Sequence, residues 1–331
     1  MSATKHKSPT GPTEGDGEVH ADRPPARAQV LDGCLDWLTA QLAWFRPSTW
    51  DAHFPPREIP GQTVLELLLL CRMLARGPRA ADQQALLSGA HEVAAAVCAD
   101  CDFEVQLTRV DAQFPYLVWL LALTGDFGPE TDSRRAQVQR ILDLHGRGVV
   151  GLDWPPTPTV ELSYILGLGE FRVDVPGFTE VLGEDAYAYA DPIRLEEPDA
   201  YAITHVLLYA TDLGARPLPV TESARARLTE LLLTVLGTQL VAGQLDLSAE
   251  LLHCLHAVDP TGETADHRLA RLAWERLAAA QLPTGAVPGP PYSPEIAAER
   301  PAEELDAYLF RACYHTTIVA AMAAVAGEQL P

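Results

Sequence analysis

An apolar segment closed by a small or acidic stop returns along this chain about every 45 residues, and that return constrains the fold more than any other feature. "YLVWLLALTGDFG" (116–128), "VELSYILGLGEFR" (160–172) and "YAITHVLLYATDLG" (201–214) share the shape. "TVLELLLLCRMLARG" (63–77) begins the series, "LSAELLHCLHAVDPTG" (247–262) continues it and "LDAYLFRACYHTTIVAAMAAVAG" (305–327) closes it. These segments are apolar on every side, as a helix is when other helices cover it. Between them lie amphipathic stretches with apolar residues at i, i+3/i+4 and i+7: "VLDGCLDWLTAQLAWF", "DSRRAQVQRILDLHG", "ESARARLTELLLTVLG" and "TADHRLARLAWERLAAAQ". Alternation of covered and half-exposed helices predicts two concentric rings. The expectation is an all-α, single-domain α/α toroid of about six helical hairpins over 28–331, with only a short outer helix in "GFTEVLGEDAYAYADP". A solenoid is the rival, and no capping repeat is recognisable.

With 331 residues, 47% of them hydrophobic, the chain can bury a large core. A net charge of -21 excludes a basic face for phosphate, so neither nucleic acid nor an anionic membrane surface is an expected partner. A small-molecule or peptide substrate, neutral or cationic, suits this surface better. Residues 1–27 are rich in Pro, Gly, Ser and charge without an apolar run, which predicts a disordered tail rather than a signal or anchor. No later run reaches the roughly 18 charge-free residues of a membrane span. Six cysteines in a chain this long do not form a disulfide framework, and a reducing cytoplasm is expected. Cys98-Ala-Asp-Cys101 has C-x-x-C spacing, but no second pair completes a zinc site.

Chemistry is expected where polar residues interrupt the covered helices. Positions 201, 205, 208 and 212 share a helical face, which brings together Tyr201, His205 and Asp212, with Tyr209 beside them. Glu250 and Cys254 stand four apart next to His253; Tyr308, Arg311 and His315 form an i, i+3, i+7 stripe followed by Thr316 and Thr317. A lone helical histidine is usually a core group bonded to a carbonyl, Asp212 could serve only as a helix stop, and Cys254 could simply fill core. The joint pattern weighs more, because a toroid sets the helices of His205, Glu250 and His315 side by side. Two Pro-rich loops, 172–199 and 281–304, carry Tyr187, Tyr189 and Tyr292 and are placed to frame the cavity.

"DAYAITHVLLYATDLG", "LDLSAELLHC", "QLPTGAVPG" and "YHTTIVAAMA" resemble a set of bacterial, chiefly actinomycete, proteins known as a domain of unknown function, over about residues 28 to 327. That resemblance implies a part in natural-product or modified-peptide biosynthesis, with partner biosynthetic enzymes. The architecture is similar to that of terpenoid cyclases, protein prenyltransferases and lanthionine cyclases. Their motifs are incomplete: "QLPTG" lacks the acid of Q-x-x-D-G, Asp100-Cys101-Asp102 is a fragment of D-x-D-D followed by a "FEVQL" not expected to be helical, and His253-Cys254 reverses the adjacent Cys-His zinc pair.

The expected function is therefore a tailoring enzyme, a cyclase that needs no metal or other cofactor. His205 and His315 would act as acid and base, Asp212 or Glu250 would orient an imidazole, and Tyr201, Tyr209 and Arg311 would hold a developing anion, with Cys254, Tyr308 and Thr316 against the substrate. Three alternatives stand beside it: a non-catalytic binding protein, a zinc enzyme using Cys254 with His205 and His315, and an inverting glycosidase using Asp212 and Glu250. Trp119 is the only tryptophan on a covered segment, which weakens the sugar reading.

Overall fold

The structure, a computed structural model, describes residues 25–55, 61–109, 113–125, 129–145, 156–259 and 261–328. Most of the expected tail, residues 1–24, lies outside them; the first helix starts at Ala26, two residues before the expected boundary. The described residues form α-helices joined by turns and short 3-10 segments, with no strand among them. In chain order the helices are α1 (Ala26–Ala40), α2 (Pro47–His53), α3 (Gln62–Arg76), α4 (Gln84–Ala99) and α5 (Cys101–Leu107). Next come α6 (Phe114–Thr124), α7 (Pro129–His145), α8 (Pro156–Leu168), α9 (Phe178–Leu182) and α10 (Glu197–Ala210). The last five are α11 (Glu222–Ala242), α12 (Leu245–Val258), α13 (Arg268–Ala280), α14 (Pro294–Glu299) and α15 (Ala302–Glu328).

The six apolar segments are α3, α6, α8, α10, α12 and α15, and their packing order returns to its start: α15 on α3, α3 on α6, α6 on α8, α8 on α10, α10 on α12, α12 on α15. Their burial follows from composition. In α3 nine apolar side chains from Val64 to Leu74 are buried on all sides, each leucine contributing about 1.5–3 kcal/mol by leaving water. The amphipathic helices pack outside: α1 on α15, α4 on α3 and α6, α7 on α6, α11 and α13 on α12. In α13 the stripe Ala270, Ala273, Trp274, Leu277 is buried while the arginines face out.

The sequence patterns missed α4, although Leu86, Leu87, Ala90, Val93, Ala94 and Val97 form a buried stripe at helical spacing, and α5, where the "FEVQL" segment is helical after all. Phe103 and Leu107, four apart, are both buried, and α5 packs on α6. Helix α15 is long and apolar enough to cross a membrane, yet 78% of its most apolar window is buried within the protein, against α12, α1 and α3.

Two backbone features place the walls. Gly285 (φ +95°) closes "QLPTG" against Gly33, and a Cβ at 285 would collide with the Gly33 carbonyl. Gln281 donates to the Val30 and Gly285 carbonyls, so this corner fastens α13 to α1. At the end of α10, Asp212, Leu213 and Gly214 all take positive φ (49°, 60°, 91°), costing on the order of 1 kcal/mol for each non-glycine residue. The turn is held by Leu213 N–H donating to Leu208 O (2.7 Å) and Gly214 N–H to Thr211 Oγ1 (3.1 Å).

Candidate functional site

A cavity of about 430 Å³ lies where the six covered helices converge, and each contributes to its lining: Glu66 from α3, Trp119 from α6, Glu161 from α8, His205 from α10, Glu250 from α12 and His315 from α15. The remaining wall is largely apolar or aromatic, with Leu69, Leu208, Ile318, Met322, Tyr116 and Tyr209.

Glu250 is the hub. Its Oε1 lies 3.8 Å from His205 Nε2 and 4.0 Å from His315 Nε2, while Oε2 accepts from Thr204 Oγ1 at 2.5 Å. Contacts of 3.8 and 4.0 Å are ion-pair distances, too long for direct hydrogen bonds. Asp246, one turn earlier on α12, accepts from Tyr201 OH (2.8 Å) and Thr316 Oγ1 (2.6 Å), and its Oδ2 lies 3.7 Å from His315 Nε2. His315 Nδ1 meets Glu66 Oε2 at 2.9 Å. A carboxylate on one ring nitrogen fixes the tautomer and aims the other nitrogen at the cavity.

Both imidazoles are partly exposed, to this cavity. For His315 the burial that would lower its pKa is outweighed by Glu66, Asp246 and Glu250, which push it up to about 10. His205 is opposed by burial in the same way and raised by Glu250 and Glu161. Glu161 is raised by burial and partly drawn back by His205. Tyr201 and Tyr209 are raised by burial first, then by nearby carboxylates, and stay neutral phenols.

The structure thus brings His205, His315, Glu250, Tyr201 and Tyr209 to one cavity and sets Thr316 behind Asp246. It does not bring Asp212. The shared face presumes helix through 212, but α10 ends at Ala210, and the left-handed turn carries the Asp212 carboxylate to Arg76 (2.8 Å), Arg72 (3.3 Å) and Tyr164 OH (3.1 Å). It lines a separate cleft of about 700 Å³ with Arg216 and Phe178. Asp212 therefore orients neither imidazole, and the paired carboxylates of an inverting glycosidase are not formed with Glu250.

Cys254 is fully buried, its thiol donating to the Thr204 carbonyl (3.6 Å) and its pKa driven far up by burial, so it offers no ligand beside His205 and His315. Tyr308 binds the 281–304 loop, accepting from Ser293 N (2.7 Å), and Arg311 is exposed on the outer side of α15. Neither lines the cavity. His253 does, but its Nε2 is spent on the Leu213 carbonyl (3.1 Å).

Sequence reasoning missed Glu66, Glu161 and Asp246. Glu66 and Glu161 are each the sole acid of an apolar helix, and Asp246 stands four residues before Glu250; an acid isolated among leucines was the signal. Side-chain atoms of Asp246, Glu250 and His315 lie within 4.8 Å of one another, a set that could hold a divalent cation.

A family known as a domain of unknown function, DUF6895, matches residues 31–325. The chain belongs to that family. The match spans nearly the whole segment over which the resemblance was expected, and every residue of the cavity falls inside it. No curated protein matches the chain.

Proposed function

We propose that this DUF6895 chain is an acid-base enzyme, a tailoring cyclase that works on a small molecule or a peptide segment held in the central cavity. The observation that supports it is Glu250, one buried carboxylate facing two imidazoles from different helices at 3.8 and 4.0 Å inside a largely apolar chamber. Gathering four carboxylates and two histidines around one chamber, with Asp246 and Glu250 buried, is costly without a use for them. His315, held charged by Glu66, is the fixed positive group that stabilises a developing anion. His205, raised by Glu250 and Glu161 but with its nearest carboxylate 3.8 Å away, is the group that moves the proton. A proton delivered at one atom and removed from another closes a ring without change of mass.

The closed packing order of the six covered helices supports an α/α toroid forming one domain, with the cavity on its axis. The buried, unpaired thiols of Cys34, Cys71, Cys98, Cys254 and Cys313 suit a reducing cytoplasm, and neighbouring biosynthetic enzymes would supply the substrate.

The experiment is mass-neutral conversion. Extract from the source organism lacking this gene is incubated with the wild-type chain, and with His205→Ala and His315→Ala, and compared by chromatography and mass spectrometry. A product of unchanged mass and altered retention, formed by wild type alone, is expected. Conversion by both variants at the wild-type rate would retire the two imidazoles as acid-base groups, and no conversion by the wild type would retire the reading in favour of a non-catalytic binding protein.

A second reading has its own observation, the trio Asp246, Glu250 and His315, with Glu66 on the far nitrogen of the imidazole. A divalent cation there would polarise a substrate oxygen as a Lewis acid. Elemental analysis of the purified chain separates the two: the acid-base reading expects no stoichiometric metal, and one metal per chain lost in Asp246→Ala would favour the second.

A further inference from the structure

The two sides of the cavity are wired differently. On the side of α3, α12 and α15 each carboxylate already has a donor or cation: Glu66 holds His315, Asp246 holds Tyr201 and Thr316, and Glu250 holds Thr204. On the side of α6 and α8, Glu161 lines the cavity with no hydrogen bond from any described residue. It stands there among Tyr116 and Trp119 of α6 and Tyr209 of α10. Trp119 and Tyr209 meet edge to face at 5.3 Å, and Tyr164 backs Tyr209 in a stacked pair at 5.4 Å, so the rings are fixed before any ligand arrives.

A carboxyl taken from water with no hydrogen-bond donor is short of partners: burial holds its pKa up, and the charge of His205 draws it back only in part. Aromatic faces attract a cation within about 6 Å, most strongly where water is excluded. An anion would meet Glu66, Glu161, Asp246 and Glu250 against His205 and His315, the third lining histidine, His253, being held neutral by burial. A hard metal ion would favour the oxygen-rich side over the rings.

We infer that the cavity binds an organic ammonium ion, a substituted amine cation on an apolar body, with its nitrogen at Glu161 among the rings of Tyr116, Trp119 and Tyr209. The apolar body lies along Leu69, Leu208 and Met322, in a volume typical of small-molecule sites. The net charge of -21 draws such a cation toward the chain. As a statement about the substrate this rests on the acid-base reading, because it places the amine beside His205; as a statement about binding it needs no turnover.

The test is calorimetric titration of the full chain with 4-phenylbutylammonium and with 4-phenylbutanol, a neutral ligand of similar shape. The ammonium is expected to bind about tenfold or more tightly than the alcohol, and Glu161→Gln is expected to erase that preference while leaving the alcohol unchanged. Thermal unfolding of Glu161→Gln should match or exceed wild type, since no hydrogen bond from the described residues is lost. Equal affinities, a preference that survives Glu161→Gln, or a variant that is destabilised or unfolded would overturn the assignment. An ammonium preference without an isomeric product retires the acid-base reading alone; an isomeric product without the preference retires this one alone.

Discussion

His315 Nδ1 and Glu66 Oε2 lie 2.9 Å apart, a contact that ties α15 to α3 across 249 positions of sequence. Burial alone would make His315 a weak base; Glu66, with Asp246 and Glu250 behind it, reverses the sign and raises the pKa to about 10. Removing one of those negative neighbours must lower it. Histidine titration by NMR should show His315 protonated through the neutral range in the wild type, with its midpoint falling in Glu66→Gln. A wild-type midpoint near 6.5 would show that the pair does not form in solution.

The same chain buries histidines of opposite behaviour. His253 and His256 are pushed down to about 4, chiefly by burial, with His256 also repelled by Arg27. Unfolded, each takes a proton as pH falls below about 6.5, so folding free energy is lost progressively from there down through about pH 4. His253 is fully buried, and its share is on the order of 3 kcal/mol. His315 works the other way: its raised pKa gives stability that is complete below about 6.5 and lost as pH rises toward about 10. Stability measured by urea unfolding should therefore peak near pH 6 to 7, as estimated from ordinary histidine titration, and His253→Gln should blunt the acid limb. An acid limb unchanged in that variant would assign the loss to other groups.

How much of this was legible in the sequence depended on whether an element announces itself locally. Leucine-dense α3 and the α12 stretch around Glu250 and Cys254 are buried on all sides, so their apolar runs placed them correctly. Helix α4 also buries a stripe at helical spacing, Leu86, Leu87, Ala90, Val93, Ala94 and Val97, but it lies outside the 45-residue recurrence and its alanines soften the contrast between faces. Among site residues, the histidines stood out by type, and helical spacing put Tyr201 and His205 on one face of the cavity, while Cys254, set by the same spacing beside Glu250, turns to the Thr204 carbonyl. Asp212 misled because a face extrapolated past Ala210 assumes helix, while three successive positive φ angles turn the chain away. Glu66 could be assigned no partner from sequence, because what it holds, His315, comes from the last helix of the chain.

Asp212 is expected to act on stability. It accepts from Arg76, Arg72 and Tyr164, and its pKa, which burial would raise, is held down by the two arginines. Asparagine tolerates the left-handed φ of 49° as well as aspartate does, so Asp212→Asn removes charge without adding backbone strain. The arginines, about a third exposed, recover part of their hydration, and the cost should be about 1–3 kcal/mol, read as a melting temperature lower by several degrees. Product formation per folded molecule should hold. An unchanged melting temperature with product lost would return Asp212 to the chemistry.

His205 and His315 can be separated from an ordinary core histidine by what their removal changes. Each makes its cavity contacts through a ring with open space beside it, so His205→Ala and His315→Ala should leave a folded protein. If both serve proton transfer and charge stabilisation, formation of the isomeric product should fall by about 10²- to 10⁴-fold in each. Their effects should also be non-additive, since both imidazoles face the one Glu250 carboxylate. His253→Ala provides the contrast: that ring is fully buried and bonded to the Leu213 carbonyl, so its loss leaves a cavity and an unpaired carbonyl at the strained turn. It should lower the melting temperature and spare the activity of the molecules that remain folded. If His205→Ala and His315→Ala behave like His253→Ala, losing stability and keeping activity, the two imidazoles are core groups and the acid-base reading falls.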